Sequence, residues 1–169
     1  AINDVENMLR ILDEVGCKIK RQKDCTVIDS SNAASHEIST RLTKELRSSV
    51  FMLGSILTRF HRAKISYPGG CDIGLRPIDL HLSGLKKLGV KIVEKDGYIH
   101  CETDRLQGAE ILLDFPSVGA TENIILAAVK AEGVTVIRNA AKEPEIVDLQ
   151  NFLIAMGAKV SGAGGSTIV

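Results

Sequence analysis

A thiol and several charged side chains are concentrated in residues 67–82. Cys71 is followed by Arg76, and then by Asp79 and His81, within a stretch that is rich in Gly and Pro. This composition predicts an irregular loop, because Gly allows positive φ and close backbone approach, whereas Pro continues neither a helix nor an inner strand. A nearby cation stabilises a thiolate, and exposed backbone N–H groups bind anions. The segment therefore predicts an anion site beside a reactive sulfur.

The simplest alternative is an incidental cysteine in a glycine-rich turn, since most isolated cysteines serve packing. The spacing of the whole segment favours a functional role for Cys71 instead. Residues 68–81 form the pattern Pro-Gly-Gly-Cys-x-Ile-Gly-x-Arg-Pro-x-Asp-Leu-His. This pattern resembles the active-site loop of the UDP-N-acetylglucosamine enolpyruvyl transferases (1-carboxyvinyltransferases), which open bacterial peptidoglycan synthesis. Residues 117–121 and 143–148 support the resemblance, which covers essentially the whole chain.

The resemblance implies a reaction and a catalytic residue. The family transfers the enolpyruvyl group of phosphoenolpyruvate to the 3-hydroxyl of the sugar in UDP-N-acetylglucosamine, through a tetrahedral intermediate, and releases phosphate. A positioned acid must protonate the methylene carbon of phosphoenolpyruvate, and by resemblance Cys71 is that acid. The same sulfur can add to phosphoenolpyruvate and is the target of fosfomycin. The expected setting is the cytoplasm and cell-wall biogenesis, with its links to cell shape and division.

The residues after the cysteine are expected to hold the substrates. Arg76 is the best candidate for a phosphate ligand, because a guanidinium is always charged and its fork of donors fits phosphate oxygens. The alternative is a solvated surface Arg. By resemblance, Pro77, Ile78, Asp79 and Leu80 follow along the nucleotide, where backbone groups and the Asp79 carboxylate bind uracil or ribose.

Two further residues have competing interpretations. His81 either contacts the ligand or is a residue at the start of a helix that orients the loop. Arg47 lies on a predicted helix, where an Arg is usually a solvated charge or an i,i+4 partner. Its position matches a family Arg assigned to the nucleotide sugar, so we favour a substrate contact for Arg47.

A third candidate segment begins with Phe115 and Pro116 and continues with Ser117, Val118 and Gly119. A helix that starts after Pro116 would present free N–H groups, which suit an anionic or carbonyl ligand. Ser117 alone would be an ordinary N-cap. The resemblance adds the uridine diphosphate as the ligand. Phe115 departs from the family, because relatives often carry a basic residue there near the uracil.

Composition excludes several functional classes. The 169 residues are 44% hydrophobic and 25% charged, with a formal net charge of zero, so nucleic acid is a poor candidate for a partner. No apolar run approaches the roughly 18 residues that span a bilayer, and no signal peptide is evident. The cysteines lack metal-binding spacing and are interpreted as thiols, with Cys17 and Cys101 in packing positions and Cys25 open to either role. The sequence implies no metal and no cofactor.

An internal repeat organises the chain. Residues 2–19, 75–92 and 143–160 align without gaps, each with a short amphipathic helix that ends at a Gly suited to a left-handed cap. Two-stranded segments are predicted after each cap, at 17–28, 90–101 and 158–169, with an Asp-Gly hairpin turn in the second. Longer helices at 43–60 and 117–132 connect the units, and each is followed by a strand, at 63–67 and 134–139.

The repeated unit of helix, strand, strand, helix and strand predicts an α/β (α+β) fold with central helices and outer sheets. The family resemblance implies an inside-out α/β barrel with a pseudo-threefold repeat. The first unit lacks the preceding strand and longer helix of the others, so we expect residues 1–169 to be a single domain that is truncated at its N-terminus and lacks a second domain.

The family also uses residues that this chain does not contain. By resemblance, an upstream Lys-Asn pair and arginines of the second domain hold phosphoenolpyruvate, and a second-domain Asp takes the sugar proton. The chain alone is therefore expected to have little activity, because catalysis needs groups from both sides of a closing cleft. The alternatives are a shikimate-pathway enolpyruvyl transferase, a nucleotide-sugar-binding module without turnover, and a structural fragment that binds nothing.

Overall fold

The computed structural model describes residues 2–68 and 78–169, which form helices and short strands in alternation. The helices within these residues are α1 (Asn3–Glu14), α2 (Thr40–Glu45), a 3₁₀ helix (Arg47–Phe51), α3 (Met52–Phe60), α4 (Asp79–Lys87), α5 (Val118–Ala128) and α6 (Pro144–Ala155). The strands are β1 (Lys18–Arg21), β2 (Thr26–Asp29), β3 (Arg62–Ser66), β4 (Lys91–Lys95), β5 (Tyr98–Glu102), β6 (Glu110–Leu112), β7 (Val136–Arg138) and β8 (Thr167–Ile168).

The repeat predicted from the sequence is confirmed in its helix caps. α1, α4 and α6 each end just before a glycine in the left-handed region, with φ of +100° at Gly16, +91° at Gly89 and +93° at Gly157. A side chain is strained in this conformation, so glycine is the residue that can end these helices at low cost.

The predicted hairpins are confirmed in two of the three units. β1 pairs antiparallel with β2, and β4 pairs antiparallel with β5 around the turn at Asp96 and Gly97. In the third unit the first strand is absent. Ser161 and Val169 exchange two backbone hydrogen bonds of 2.8 and 2.9 Å, but 158–161 form no regular strand.

The strands form three small sheets. β1 and β2 make a two-stranded sheet, and the others have the orders β3-β5-β4 and β6-β7-β8. β6 pairs parallel with β7 and was not predicted from the sequence. An isolated parallel bridge joins Glu37 to Lys64 of β3, so the segment near residue 37 takes the same place beside β3 that β6 takes beside β7.

The core lies between the helices, with the sheets packed on their outer side. α5 packs against α3, α4, α6 and the 3₁₀ helix. Ile124, in its middle, is fully buried. Two glycines permit the close packing around it. A Cβ on Gly84 would lie 2.2 Å from the Ile124 side chain, and a Cβ on Gly54 would lie 2.4 Å from the backbone carbonyl oxygen of Asn123.

Two helix predictions need correction. The single helix expected over 43–60 is interrupted at Leu46, which has extended dihedral angles (φ −136°, ψ 113°), and the chain restarts there as a 3₁₀ helix. The apolar stripe was correct, but Ser48 and Ser49 favour helices weakly and the Thr43 hydroxyl bonds the carbonyls of Ser39 and Thr40. The helix expected over 117–132 ends at Ala128, although its start is as predicted.

Candidate functional site

A cleft of about 1080 Å³ lies where the starts of α4 and α5 face the 3₁₀ helix. Its described lining consists of residues 44–48, 50, 51, 79–81 and 114–119, together with Asp4 and Glu143. Three segments that are far apart in the sequence, and that the sequence assigned to the substrates, therefore meet at one place.

Arg47 is the first residue of the 3₁₀ helix and lines the cleft. The extended Leu46 before it is 3% exposed and lies in the core. Leu46 thus anchors the backbone, while the half-buried Arg47 side chain lies near His81 and lowers the pKa of that ring. The interruption of the predicted long helix is what gives Arg47 this position.

The start of α4 contributes the second wall. Ile78 is 6% exposed and belongs to the core, and its carbonyl accepts a hydrogen bond of 3.1 Å from the Leu82 N–H. Ile78 is therefore an anchor and does not line the cleft. The next residues, the exposed Asp79 and the half-buried Leu80, do line it.

His81 is a buried member of the cleft wall, with 6% of its surface exposed. Its ring stacks on Phe51, with centroids 5.9 Å apart and an interplanar angle of 19°, and its Nδ1 lies 3.2 Å from Asn123 Nδ2. Burial, and then the positive charge of Arg47, lower the pKa of His81 to about 4. The ring is therefore neutral near pH 7.

The start of α5 supplies hydrogen-bond donors. Ser117 is the N-cap, and its Oγ accepts a 3.3 Å hydrogen bond from the Ala120 N–H. The first N–H groups of a helix have no acceptor within it, and those of Val118 and Gly119 have none among the described residues, so they can donate to a ligand. Gly119 is needed here, because a Cβ would lie 2.6 Å from the Phe51 ring and 3.2 Å from His81.

The rim of the cleft combines charged and apolar groups. Phe115 is 65% exposed and Pro116 is also exposed. Lys44 lies on the same rim as the carboxylates of Asp4, Glu45, Asp114 and Glu143. The described lining therefore carries more negative than positive side chains, and Lys44 and Arg47 are its cations. An anionic ligand would be bound by these cations and by the N–H groups of α5.

Three of the residues proposed from the sequence, Cys71, Arg76 and Pro77, lie outside the described residues. The other cysteines are described. Cys17 and Cys101 are buried, as predicted for packing positions. Burial raises the pKa of the Cys17 thiol, and burial together with Glu94 raises that of Cys101 to about 12. Cys25 is exposed, with its Sγ 3.4 Å from Gln22 Oε1.

Sequence reasoning missed Asn123, which is fully buried behind the cleft. It contacts Val50, Gly54 and His81 and so connects the three segments that form the cleft wall. The available signal was weak, because Asn123 follows Thr121 and Glu122 in a short polar run on a helix whose other residues are apolar or small. Buried polar side chains are usually hydrogen-bonded, so a polar residue at a core position marks a specific interaction.

A second cavity, of about 630 Å³, lies at the other end of α5 and has an apolar lining. It is bounded by the C-terminal half of α5, by residues 133–137 and by residues 157–161. None of the proposed site residues that the structure describes lines it.

No group of three or more His, Cys, Asp or Glu side chains in 2–68 and 78–169 is arranged to hold a metal ion. No helix within the same two ranges is long and apolar enough to cross a bilayer.

Comparison with known sequences relates the whole chain to one family. The model of the family described as EPSP synthase (3-phosphoshikimate 1-carboxyvinyltransferase) matches residues 1–169. The UDP-N-acetylglucosamine 1-carboxyvinyltransferase 2 of Caldanaerobacter subterraneus subsp. tengcongensis is 57% identical over 99% of the chain. The corresponding enzyme 1 of Symbiobacterium thermophilum is 52% identical over 96% of it. The chain spans only 40% and 38% of the lengths of these two relatives.

Solved structures with the same fold have much lower sequence identity. The enolpyruvyl transferase NikO from Streptomyces tendae matches 98% of the chain with a TM-score of 0.81 and 20% identity. EPSP synthase from Acinetobacter baumannii matches 99% with a TM-score of 0.68, also at 20% identity. The chain covers 40% and 39% of these proteins. The predicted enolpyruvyl transferase fold is thereby confirmed.

Proposed function

We propose that this chain, which belongs to the EPSP synthase (3-phosphoshikimate 1-carboxyvinyltransferase) family, is the nucleotide-sugar-binding part of a UDP-N-acetylglucosamine 1-carboxyvinyltransferase. The observation that carries the proposal is the convergence of Arg47, residues 79–81 and residues 115–119 on one cleft. Relatives at 57%, 52% and 47% identity bear the name of that enzyme, which favours the nucleotide sugar over a shikimate substrate.

The chemistry of the cleft suits the diphosphate and the uridine of the substrate. The N–H groups of Val118 and Gly119 and the Arg47 guanidinium would bind phosphate oxygens, because charge-assisted hydrogen bonds to a helix start and to a guanidinium are strong. The Asp79 carboxylate can accept hydrogen bonds from uracil or ribose. The exposed Phe115 ring offers an apolar surface for the base at the rim, in place of the basic residue of many relatives.

Cys71 and Arg76 complete the proposed site from the sequence. Both precede Asp79, the first residue of α4, by only a few residues along the chain. In the proposed reaction the Cys71 thiol gives its proton to the methylene carbon of phosphoenolpyruvate. The sugar 3-hydroxyl loses its proton to the second-domain Asp that the resemblance implies and adds to the neighbouring carbon. Elimination then returns one proton of the new methyl group to the Cys71 thiolate, breaks the bond to phosphate and restores the vinyl group. Arg76 holds the phosphate, with Pro77 beside it.

Turnover is proposed for the longer protein rather than for residues 1–169 alone. Catalysis by this family draws on groups from both sides of a cleft, and the chain spans about 40% of its relatives. The cytoplasmic location and the role in peptidoglycan synthesis belong to the same proposal.

Calorimetric titration tests the proposed ligand. The chain should bind UDP-N-acetylglucosamine saturably and should not bind shikimate 3-phosphate at the same concentrations. Preference for shikimate 3-phosphate would assign the site to the other branch of the family. Absence of binding to either compound would refute the proposed site in this chain.

The proposed role of Cys71 has its own test. Fosfomycin, applied to the full-length protein with UDP-N-acetylglucosamine, should add one adduct on the peptide that contains Cys71, and Cys71→Ser should abolish it. Cys25 is the matched control, because it is the exposed thiol among the described cysteines. Cys25→Ser should leave the adduct in place. An adduct on Cys17, Cys25 or Cys101 would contradict the assignment.

A further inference from the structure

Asn123 is a polar side chain with no exposed surface. From α5 it contacts the 3₁₀ helix and α4, which line the cleft, and also α3 behind them. Its Oδ1 lies 2.8 Å from the Gly54 backbone nitrogen in α3. Its Nδ2 lies 3.2 Å from the Val50 carbonyl oxygen in the 3₁₀ helix and 3.2 Å from His81 Nδ1 in α4.

These partners determine the orientation of the Asn123 amide. A backbone N–H can only donate, so the atom that faces Gly54 must be the accepting Oδ1. A backbone carbonyl can only accept, so the atom that faces Val50 must be the donating Nδ2. The same Nδ2 carries a second hydrogen, and its remaining neighbour is His81 Nδ1. That ring nitrogen must therefore accept.

A histidine whose Nδ1 accepts a hydrogen bond carries its proton on Nε2. We propose that Asn123 is a positioning residue that holds His81 as a neutral ring protonated on Nε2, so that His81 offers the cleft a hydrogen-bond donor without a charge. A neutral donor suits a hydroxyl, carbonyl or phosphate oxygen of the ligand. This use of the donor rests on the proposed nucleotide-sugar site, whereas the tautomer does not.

The packing around the ring agrees with this role. Phe51 covers one face of His81, and the absence of a side chain at Gly119 leaves room for its edge. Arg47 of the 3₁₀ helix is the charged group that acts on the ring, and it opposes protonation, as burial does. Glu122, beside Asn123 on α5, interacts with Glu145 instead, and Asp79 lies on α4 itself.

Nitrogen-15 NMR of the His81 ring tests the tautomer in the unmodified chain. At pH 7 the proton should be on Nε2, and Nδ1 should show the shift of an unprotonated, hydrogen-bonded nitrogen. A ring protonated on Nδ1, or charged at pH 7, would overturn the proposal without any variant having to fold.

Asn123→Asp tests the positioning role. A carboxylate cannot donate, so Nδ1 should become the protonated nitrogen, and the His81 pKa should rise by more than one unit. Asn139→Asp is the matched control, because the Asn139 amide also donates to a backbone carbonyl, that of Leu113 at 2.8 Å, but does not contact His81. An unchanged His81 tautomer in Asn123→Asp would contradict the role of Asn123.

Addition of the ligand tests the donor role of His81 separately from the tautomer that Asn123 holds. If UDP-N-acetylglucosamine binds, the His81 Nε2 resonance should shift. Shifts elsewhere in the cleft without a change at Nε2 would exclude His81 as a donor to the ligand. Failure of the nucleotide sugar to bind, with the predicted tautomer present, would refute the proposed function and leave the role of Asn123 in fixing the tautomer intact.

Discussion

The two ends of helix α5 face two cavities with different linings. At its N-terminus, Val118 and Gly119 line the cleft together with Arg47 and several carboxylates. At its other end, Ile125, Ala128 and Val129 line the apolar cavity. A single helix of 11 residues therefore belongs to both.

The difference arises from backbone chemistry as much as from side chains. The N-terminal turn of a helix has N–H groups without intrahelical acceptors and a partial positive charge, and the C-terminal turn has neither. Both cavities are large enough to hold a small molecule, so their size does not indicate which of them binds the ligand. The N–H donors of α5 and the Arg47 guanidinium are the reason why we propose the ligand site in the N-terminal cleft.

The largest expected effect comes from Ile124, which lies between the two ends and is fully buried. Ile124→Ala should lower the free energy of unfolding by about 3 kcal/mol, because it removes core contacts and leaves a cavity. Urea unfolding would measure this loss. Leu112→Ala is the control, since Leu112 is 68% exposed and its truncation should change stability little. Equal losses in the two variants would contradict the central position of Ile124.

Acidification should lower the stability of the fold through His81 of α4, which lines the cleft at the N-terminus of α5. The pKa of His81 is lowered from 6.5 to about 4 in the folded chain. Its contribution to stability is therefore complete above pH 6.5 and is lost as the pH falls through 4. The full contribution is about 3 kcal/mol from a shift of this size.

Urea unfolding of the wild type and of His81→Gln between pH 7 and pH 4 would isolate this contribution. The stability of the wild type should fall more steeply with acid than that of the variant. Parallel pH profiles would contradict a neutral, buried His81.

Arg47→Ala should weaken UDP-N-acetylglucosamine binding by about 2 kcal/mol, or roughly thirtyfold in Kd, because a charge-assisted contact is lost. Titration calorimetry measures the change. Arg41→Ala is the matched control, since Arg41 is an exposed partner of Glu45 on α2. A similar loss in both variants would show a general effect of positive charge rather than a contact made by Arg47.

The smallest expected change is at Thr135, which lines the apolar cavity, and it is an increase in stability rather than a loss. The Thr135 hydroxyl oxygen is buried and has no hydrogen-bond partner among the described residues. Thr135→Val replaces this hydroxyl by a methyl group and should stabilise the fold by about 1 kcal/mol in thermal or urea unfolding. Nucleotide-sugar affinity should not change, and a loss of affinity would connect the apolar cavity to the ligand.

The sequence predicted those parts of the fold that depend on local chemistry. The left-handed glycines after α1, α4 and α6 and the Asp96-Gly97 turn are local requirements, and the structure confirms them. β6 was missed because it has three residues and is defined by its distant pairing with β7. The interruption at Leu46 was missed because an apolar stripe at helical spacing does not reveal competition from Ser and Thr hydroxyls.

The cleft was predictable to a similar extent. Arg47, His81 and Ser117 were identified by family resemblance, and the structure brings them together. The Ile78 side chain is buried as an anchor for α4, so its predicted contact with the nucleotide, which involves backbone groups, stays a prediction. Asn123 was missed because its local signal is weak and its partners come from three different elements.

Amide NMR of the chain during titration with UDP-N-acetylglucosamine tests where the ligand binds. We expect shift changes at Arg47, at residues 79–81 and at residues 117–119, with residues 125–129 and 157–161 unaffected. Changes confined to the apolar end of α5, or the same cleft response to shikimate 3-phosphate and not to the nucleotide sugar, would contradict this expectation.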